Sequence, residues 1–447
     1  MKRLLCLGII LGFMQHVAAQ SSTAKLDTIV STYSRMHKLN GAVLVAQGGK
    51  ILLNKAFGYQ RTADSIRNEP ATIFQLGSIT KQFTATAVLK LAEEKKLSLQ
   101  DKLSKYFPDY PKGDSITIEH LLTHTSGIYN YTNNREFMQK EVSNPITREK
   151  ALAMFKDKPL NFSPGAKWDY SNSGYSLLGY IIEKASGKPY EQVLREYIFG
   201  PLHMDHTGFD FKNLKDSKKS TGYFSITDSS SVLAPGVDST VSFAAGAMYS
   251  TTGDLYKWHQ AAQQHKILSK EDWEKAYTPF MNNYGYGWQS DSIAGKRKVS
   301  HGGGIHGYVT SIQRVPEDDV CVIVLDNASG RDAGKIAESL IAALYNQPYT
   351  LPKERVAIQV PVAKLQEYTG EYNLFPNFSI VMSVKDNMLM GKPTGQSESP
   401  LFPEKEDFFF LKVVDAQVRF TRNEQQQVTG LILYQNGRET PGKKVTQ

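Results

Sequence analysis

Cysteine is nearly absent: Cys6 and Cys321 are the two in 447 residues. Cys6 falls in an apolar run at the start of the chain, so once that run is removed no intramolecular disulfide is possible. Stability must then come from a packed core. Long apolar runs are also missing after the first twenty residues, which argues against a membrane-spanning helix. Charge of one sign is not concentrated anywhere. The formal charge of +8 is spread out, its densest cluster being Lys212 to Lys219 in an expected surface loop, so nucleic acid is excluded as a partner. No lysine followed by serine or threonine closes the glycine run at 302–304, which excludes a phosphate loop. His120 and His124 are four apart, but Leu121 stands where a zinc peptidase places its glutamate, and His203 and His206 have no evident third ligand. No metal and no cofactor are expected.

What is present begins with an export signal. Lys2 and Arg3, the apolar Leu4 to Phe13 and the small-residue site Val17-Ala18-Ala19 predict a segment of residues 1–19 that is cleaved before Gln20. Its loss takes two cations and no acid, leaving +6. Leu5 before Cys6 is not the small residue of a lipidation site, so the expectation is a soluble exported protein, periplasmic or secreted. A content of 40% hydrophobic and 11% aromatic residues supplies a core, and the length suggests two domains.

The chain is organised around Phe74-Gln75-Leu76-Gly77-Ser78-Ile79-Thr80-Lys81. Gly77 reads as a turn opening a buried helix, with Phe83, Ala87, Val88, Leu91 and Ala92 at helical spacing. Three residues apart on that helix, Ser78 and Lys81 are neighbours. A hydroxyl at a helix start beside an amine is an acylating pair: the lysine takes the serine proton and first-turn N–H groups face a developing oxyanion. Spacing alone is weak, since Ser22-Thr23-Ala24-Lys25 repeats it. A second cluster, Trp168-Asp169-Tyr170-Ser171-Asn172, precedes an amphipathic helix carrying Tyr175, Leu178, Ile182 and Ala185 and stopped by Gly187 and Pro189. A phenol and an amide held there suit proton relay and the grip of a substrate carbonyl, although Tyr131-Thr132-Asn133 and Tyr434-Gln435-Asn436 share the spacing. The third cluster, His301-Gly302-Gly303-Gly304, is expected at the start of a strand, where glycines let a substrate approach the edge and an N–H completes an oxyanion hole.

These three motifs in this order resemble the penicillin-recognising serine hydrolases. Tyr170-Ser171-Asn172 is similar to the class C β-lactamase branch with its D-alanyl-D-alanine carboxypeptidase, D-aminopeptidase and esterase relatives. Leu121 to Gly127, Pro201 to Met204 and Ala245 to Thr251 extend the similarity over about residues 30–345. The resemblance implies Ser78 as nucleophile, Lys81 as its proton-transfer partner, Tyr170 sharing the acid/base role, Asn172 on the substrate amide, and the N–H groups of Ser78 and Gly304 as oxyanion hole. Lys81 and Tyr170 both stay open as the base. His301-Gly302-Gly303 stands where a β-lactamase carries Lys-Thr-Gly, so a permanent cation and a hydroxyl for a substrate carboxylate are replaced.

The expected fold class is α+β. Hairpins over 41–58, turning at Gly48-Gly49, and over 308–325, turning at Pro316 to Asp319, join the two ends of a domain at 24–350 into one antiparallel sheet flanked by helices, with a helical subdomain between and a last helix at about 332–345. After a linker at 351–361, short strands at 371–372, 378–384, 388–390, 407–413, 418–420 and 428–434 predict a small all-β barrel over 362–447, its opening Tyr368-Thr369-Gly370-Glu371-Tyr372 similar to lipocalin-like C-terminal domains. The functional expectation is an amide- or ester-cleaving serine hydrolase, a D-amino-acid peptidase, carboxypeptidase or esterase rather than a dedicated β-lactamase. Its substrate is a small-molecule or peptide acyl compound, cell-wall-derived ones included. The alternative is a penicillin-type sensor that is acylated without turnover.

Overall fold

Val320–Asp326 is buried along its whole length, as a strand shielded on both faces must be. It lies inside a six-stranded antiparallel sheet in the order Lys50–Ala56, Gly41–Gln47, Val320–Asp326, Tyr308–Val315, Lys296–Ile305, Gln289–Ile293. Gly41 pairs with Asp326 and Gln47 with Val320, so the sheet does join the two ends of the domain. Gly48 and Gly49 take φ values of 56° and 73° in the first hairpin turn. The computed structural model describes residues 23–445 apart from 228–229, 354, 413–415 and 436–437. The expected export segment, Ser22, Val413 and the Asn436-Gly437 turn lie outside the described residues.

Alternation along the strands divides the interior. Ala42, Leu44, Ala46, Ile323 and Leu325 enter the core that holds the Thr80–Glu93 helix, whereas Val43, Val45, Val322 and Val324 face the helices 23–35 and Ala333–Leu344 on the other side. The Thr80–Glu93 helix is buried on every side through its first ten residues, not along one stripe as its apolar spacing suggests. Two of its polar side chains find distant partners: Thr84 donates to the Ala244 carbonyl at 2.7 Å, and Gln82 accepts the Trp258 indole N–H at 3.1 Å.

The strands Gln289–Ile293 and Lys296–Ile305 were not anticipated, because Lys296, Arg297, Lys298 and three glycines hide the strand pattern. The third motif therefore ends a strand instead of starting one. Lys296 to Lys298 pair only with Gln289–Ile293, Val299 and Ser300 pair on both sides, and His301 to Ile305 pair only with Tyr308–Val315, because the Gln289–Ile293 strand has no residue left to reach them.

The chain divides at Pro352 and Lys353 into two compact units. In the second, eight strands close into a barrel around Tyr368, Tyr372, Met382, Phe409, Phe420 and Leu431. Two of its strands, Ser399–Lys405 and Arg438–Lys444, escaped the sequence reading. The first contains Pro400 and Pro403, the second Pro441 and Gly442, and proline ordinarily argues against a strand. A short helix, Val362–Glu367, opens the unit where strands alone were expected.

Candidate active site

Gly77–Ile79 forms a single 3₁₀ turn before the helix. It is pinned from two directions: Phe74 and Gln75 pair with Ser250 and Tyr249, and Thr310 Oγ1 donates to the Leu76 carbonyl at 2.7 Å. Gly77 has φ of 57° and lies so close to the third motif that a Cβ there would stand 2.9 Å from the Gly304 nitrogen. Ser78 is thus held beside the singly paired end of the Lys296–Ile305 strand.

Lys81 is fully buried, and its Nζ reaches Ser78 Oγ at 3.1 Å, Asn172 Oδ1 at 2.8 Å and the Ala245 carbonyl at 2.8 Å. The Ala245 carbonyl is free to accept because the Ser239–Gly246 helix is kinked at Phe243 and ends one residue later than Ala245. Burial holds the Lys81 pKa well below lysine's ordinary value. The faces of Tyr170 and Tyr175, 4.8 Å and 5.4 Å from Nζ, favour the ammonium, but no carboxylate pairs with it among the described residues. A neutral amine has two N–H groups and one lone pair. Asn172 and Ala245 take the two hydrogens, which leaves the lone pair for the Ser78 hydroxyl.

Burial raises the pKa of Tyr170, against a smaller opposing effect of Ser78 beside it, so the phenol keeps its proton. Of the two candidates for the base, the geometry favours Lys81. Asn172 begins the Asn172–Ser186 helix, capped by Ser171. Its N–H donates to Asn130 Oδ1 at 3.1 Å and its Nδ2 to Thr132 Oγ1 at 3.2 Å. Its carbonyl oxygen faces Lys81 rather than open space. The Tyr131-Thr132-Asn133 stretch, a decoy by spacing, is therefore packed against the second motif itself.

His120 and His124 do not share a helical face. The Ile118–Leu122 helix ends before His124, which has φ of 60°. His120 accepts the Thr117 N–H on Nδ1 at 3.2 Å as part of a capping box. His124 accepts the Ser171 N–H on Nδ1 at 3.2 Å, and its ring centre lies 4.3 Å from that of Tyr170. Its hydrogen is then on Nε2, a buried atom without a hydrogen-bond partner that faces aromatic rings. His301 is buried too. Its Nδ1 is 2.6 Å from the Gly302 carbonyl and its Nε2 is 2.8 Å from the Tyr284 hydroxyl. Desolvation, with Lys81 adding to it, pushes His301 down to about 3 against the Gly302 hydrogen bond, so the imidazole is neutral. Tyr284, Asn130, Thr132 and Ala245 were not among the predicted site residues. Thr132 and Ala245 stand in stretches the sequence does single out, Tyr131-Thr132-Asn133 and Ala245 to Thr251, and the Asn282-Asn283 turn precedes Tyr284.

The glycines differ in necessity. A Cβ on Gly303 would stand 1.9 Å from the Leu76 carbonyl oxygen, while Gly302 and Gly304 are exposed and have room. Gly303→Ala is expected to cost about 2–3 kcal/mol or more. Gly302→Ala should lie within about 0.5 kcal/mol of the parent. Denaturant unfolding of the two variants checks the contrast, and equal stabilities would contradict it.

A family profile described as Beta-lactamase matches residues 26–346, and a domain of unknown function, DUF3471, matches residues 354–444. Penicillin-binding protein 4* of Bacillus subtilis (strain 168) is 31% identical over 449 residues, covering 94% of this chain and 98% of its own. Among solved structures, the octameric penicillin-binding protein homologue from Pyrococcus abyssi is 29% identical with a TM-score of 0.64, over 94% of this chain and 99% of that one. A D-stereospecific amidohydrolase from Streptomyces sp. is 26% identical with a TM-score of 0.62, over 74% of this chain and 99% of its own. With the profile covering most of the chain and the serine, lysine and tyrosine of its motifs brought together, this chain belongs to the serine beta-lactamase and penicillin-binding-protein-like family.

Proposed function

We propose that the protein is an exported serine hydrolase that cleaves an amide or ester through an acyl-enzyme on Ser78. The observation that carries this is the Lys81 amine, desolvated and 3.1 Å from Ser78 Oγ, with two further acceptors fixing its orientation. In acylation Ser78 Oγ attacks the substrate carbonyl carbon and its proton passes to Lys81 Nζ. Negative charge gathers on the carbonyl oxygen and is received by the N–H groups of Ser78 and Gly304, a role supported by the closeness of the Gly304 nitrogen to the Gly77 turn. As the carbon–leaving-group bond breaks, Tyr170 gives its proton to the departing nitrogen or oxygen and is reprotonated from Lys81. Water then repeats the sequence on the acyl carbon, and Ser78 is released.

The substrate class we favour is a D-amino-acid amide, peptide or ester, including cell-wall-derived peptides, over a carboxylate-bearing β-lactam. The similarity to a D-stereospecific amidohydrolase and to penicillin-binding proteins supports the acyl class. The third motif argues against β-lactamase specialisation: both nitrogens of His301 are engaged within the protein, and Gly302 has no hydroxyl. The test is intact mass of the purified protein over time with a penicillin, an activated ester and a D-amino-acid amide. A Ser78 adduct that decays within minutes with the ester or amide is expected. A permanent adduct with every reagent would overturn turnover in favour of a sensor, and no adduct would overturn the acylation chemistry.

The variant His301→Lys with Gly302→Thr restores a cation and a hydroxyl at a place with room for the latter. It should raise the ratio of kcat/KM for a carboxylate-bearing penicillin to kcat/KM for an uncharged ester by about tenfold or more relative to the parent, the scale of a hydrogen bond to a charged group. An unchanged ratio would count against this reading of the third motif.

A further inference from the structure

The third motif is held by a residue outside all three motifs. The Gly302 carbonyl can only accept, so at 2.6 Å the hydrogen is on His301 Nδ1. In a neutral imidazole Nε2 is then an acceptor, and at 2.8 Å the Tyr284 hydroxyl donates to it. Tyr284 is buried, and its place is set by a tight turn in which its N–H donates to the Met281 carbonyl at 2.9 Å and Asn282 and Asn283 take positive φ. Its ring centre lies 4.7 Å from that of His124, 5.7 Å from that of His301 and 6.4 Å from that of Tyr170, perpendicular to the last two. One side chain therefore touches the second motif through Tyr170 and the third through His301.

The segment it steadies needs support. Gly302, Gly303 and Gly304 have no side chains to pack, are paired on one side only, and lose more conformational freedom on ordering than any other residues would. The peptide between Gly302 and Gly303 is restrained by the His301 hydrogen bond to its carbonyl, and Gly304 supplies the N–H beside Ser78. We propose that Tyr284 is a positioning residue of this site. By donating to His301 Nε2 it fixes the tautomer whose Nδ1–H grips the Gly302 carbonyl, and so holds the glycine edge in register with Ser78. The proposal rests on the serine-hydrolase reading above.

The test uses the full chain and a small activated ester. In the parent protein, nitrogen NMR of His301 should show hydrogen on Nδ1 alone. Hydrogen on Nε2 alone, or an imidazolium, overturns the proposal whatever the variants do. Tyr284→Phe keeps the ring and removes the donor. It should release the tautomer, speed amide exchange at Gly303 to Ile305, and lower kcat about tenfold with KM within about twofold, a fraction of what losing an oxyanion donor costs. His301→Asn places an N–H where Nδ1 was without needing Tyr284, so adding Tyr284→Phe to it should change kcat by less than about twofold. A Tyr284→Phe protein with parental kcat and an unchanged His301 tautomer sinks the proposal. The broader reading fails separately: activity that persists in Ser78→Ala sinks the hydrolase assignment, whereas Ser78-dependent activity indifferent to Tyr284 sinks only this one.

Discussion

Ser78→Ala is expected to lower turnover of an activated ester by on the order of 10⁴-fold or more, and to abolish the acyl adduct seen by intact mass. The size follows from the arrangement. In the proposed mechanism Ser78 Oγ is the nucleophile, with the Lys81 amine hydrogen-bonded to it, so removing it leaves Lys81 and Tyr170 with no attacking oxygen to serve. What survives is the binding and oxyanion contribution alone. The fold should be indifferent, because Ser78 is partly exposed and alanine suits the turn. A variant that folds normally and still turns over the ester at a rate near the parent's would refute Ser78 as nucleophile.

Lys81→Met should separate catalysis from stability. Catalysis loses its base, and kcat/KM is expected to fall by about 10²–10⁴-fold, the usual contribution of a positioned proton acceptor. In the parent, kcat/KM should rise with pH as Lys81 loses its proton, on an acid limb well below the titration of free lysine. That limb should vanish in the variant. Stability carries a linked signature. The folded pKa of Lys81 is depressed, while in the unfolded chain a lysine titrates near 10.4. Between those two values the unfolded state binds the extra proton, so stability rises with pH across that window. Below it the full cost of the buried ammonium is present. The difference in unfolding free energy, parent minus Lys81→Met, should therefore increase by about 1.4 kcal/mol per pH unit inside the window and be flat below it. A difference that stays flat through pH 10 would mean that Lys81 is an ordinary charged lysine, and the assignment of the base would pass to Tyr170.

Legibility in the sequence followed locality. Ser78 and Lys81 lie on one helical turn, Tyr170 and Asn172 flank one helix start, and the glycines follow one histidine, so each group was readable from spacing and turn chemistry. The resemblance then ordered them into one site. The ends of the sheet were readable as well, because Val320–Asp326 and Gly41–Gln47 are apolar runs bounded by turn residues. The strand Lys296–Ile305 was missed because charge and glycine interrupt its pattern, and the fully buried Thr80–Glu93 helix looked one-sided because Thr80, Gln82 and Thr84 are polar residues whose side chains meet partners far away in sequence.

By its own residues, then, the sequence determined the chemistry available: which hydroxyl, which amine, which phenol, and the loss of a cation and hydroxyl at the third motif. Tertiary structure decided how those groups behave. Only packing makes Lys81 a dry amine, since the Ala245 carbonyl comes from a helix kink 164 residues away in sequence. Only packing turns Asn172 toward that amine and closes both nitrogens of His301 against Tyr284 and Gly302. The physical reason is that protonation state and hydrogen-bond direction depend on burial and on partners from distant segments, and neither is encoded in the spacing of neighbouring residues.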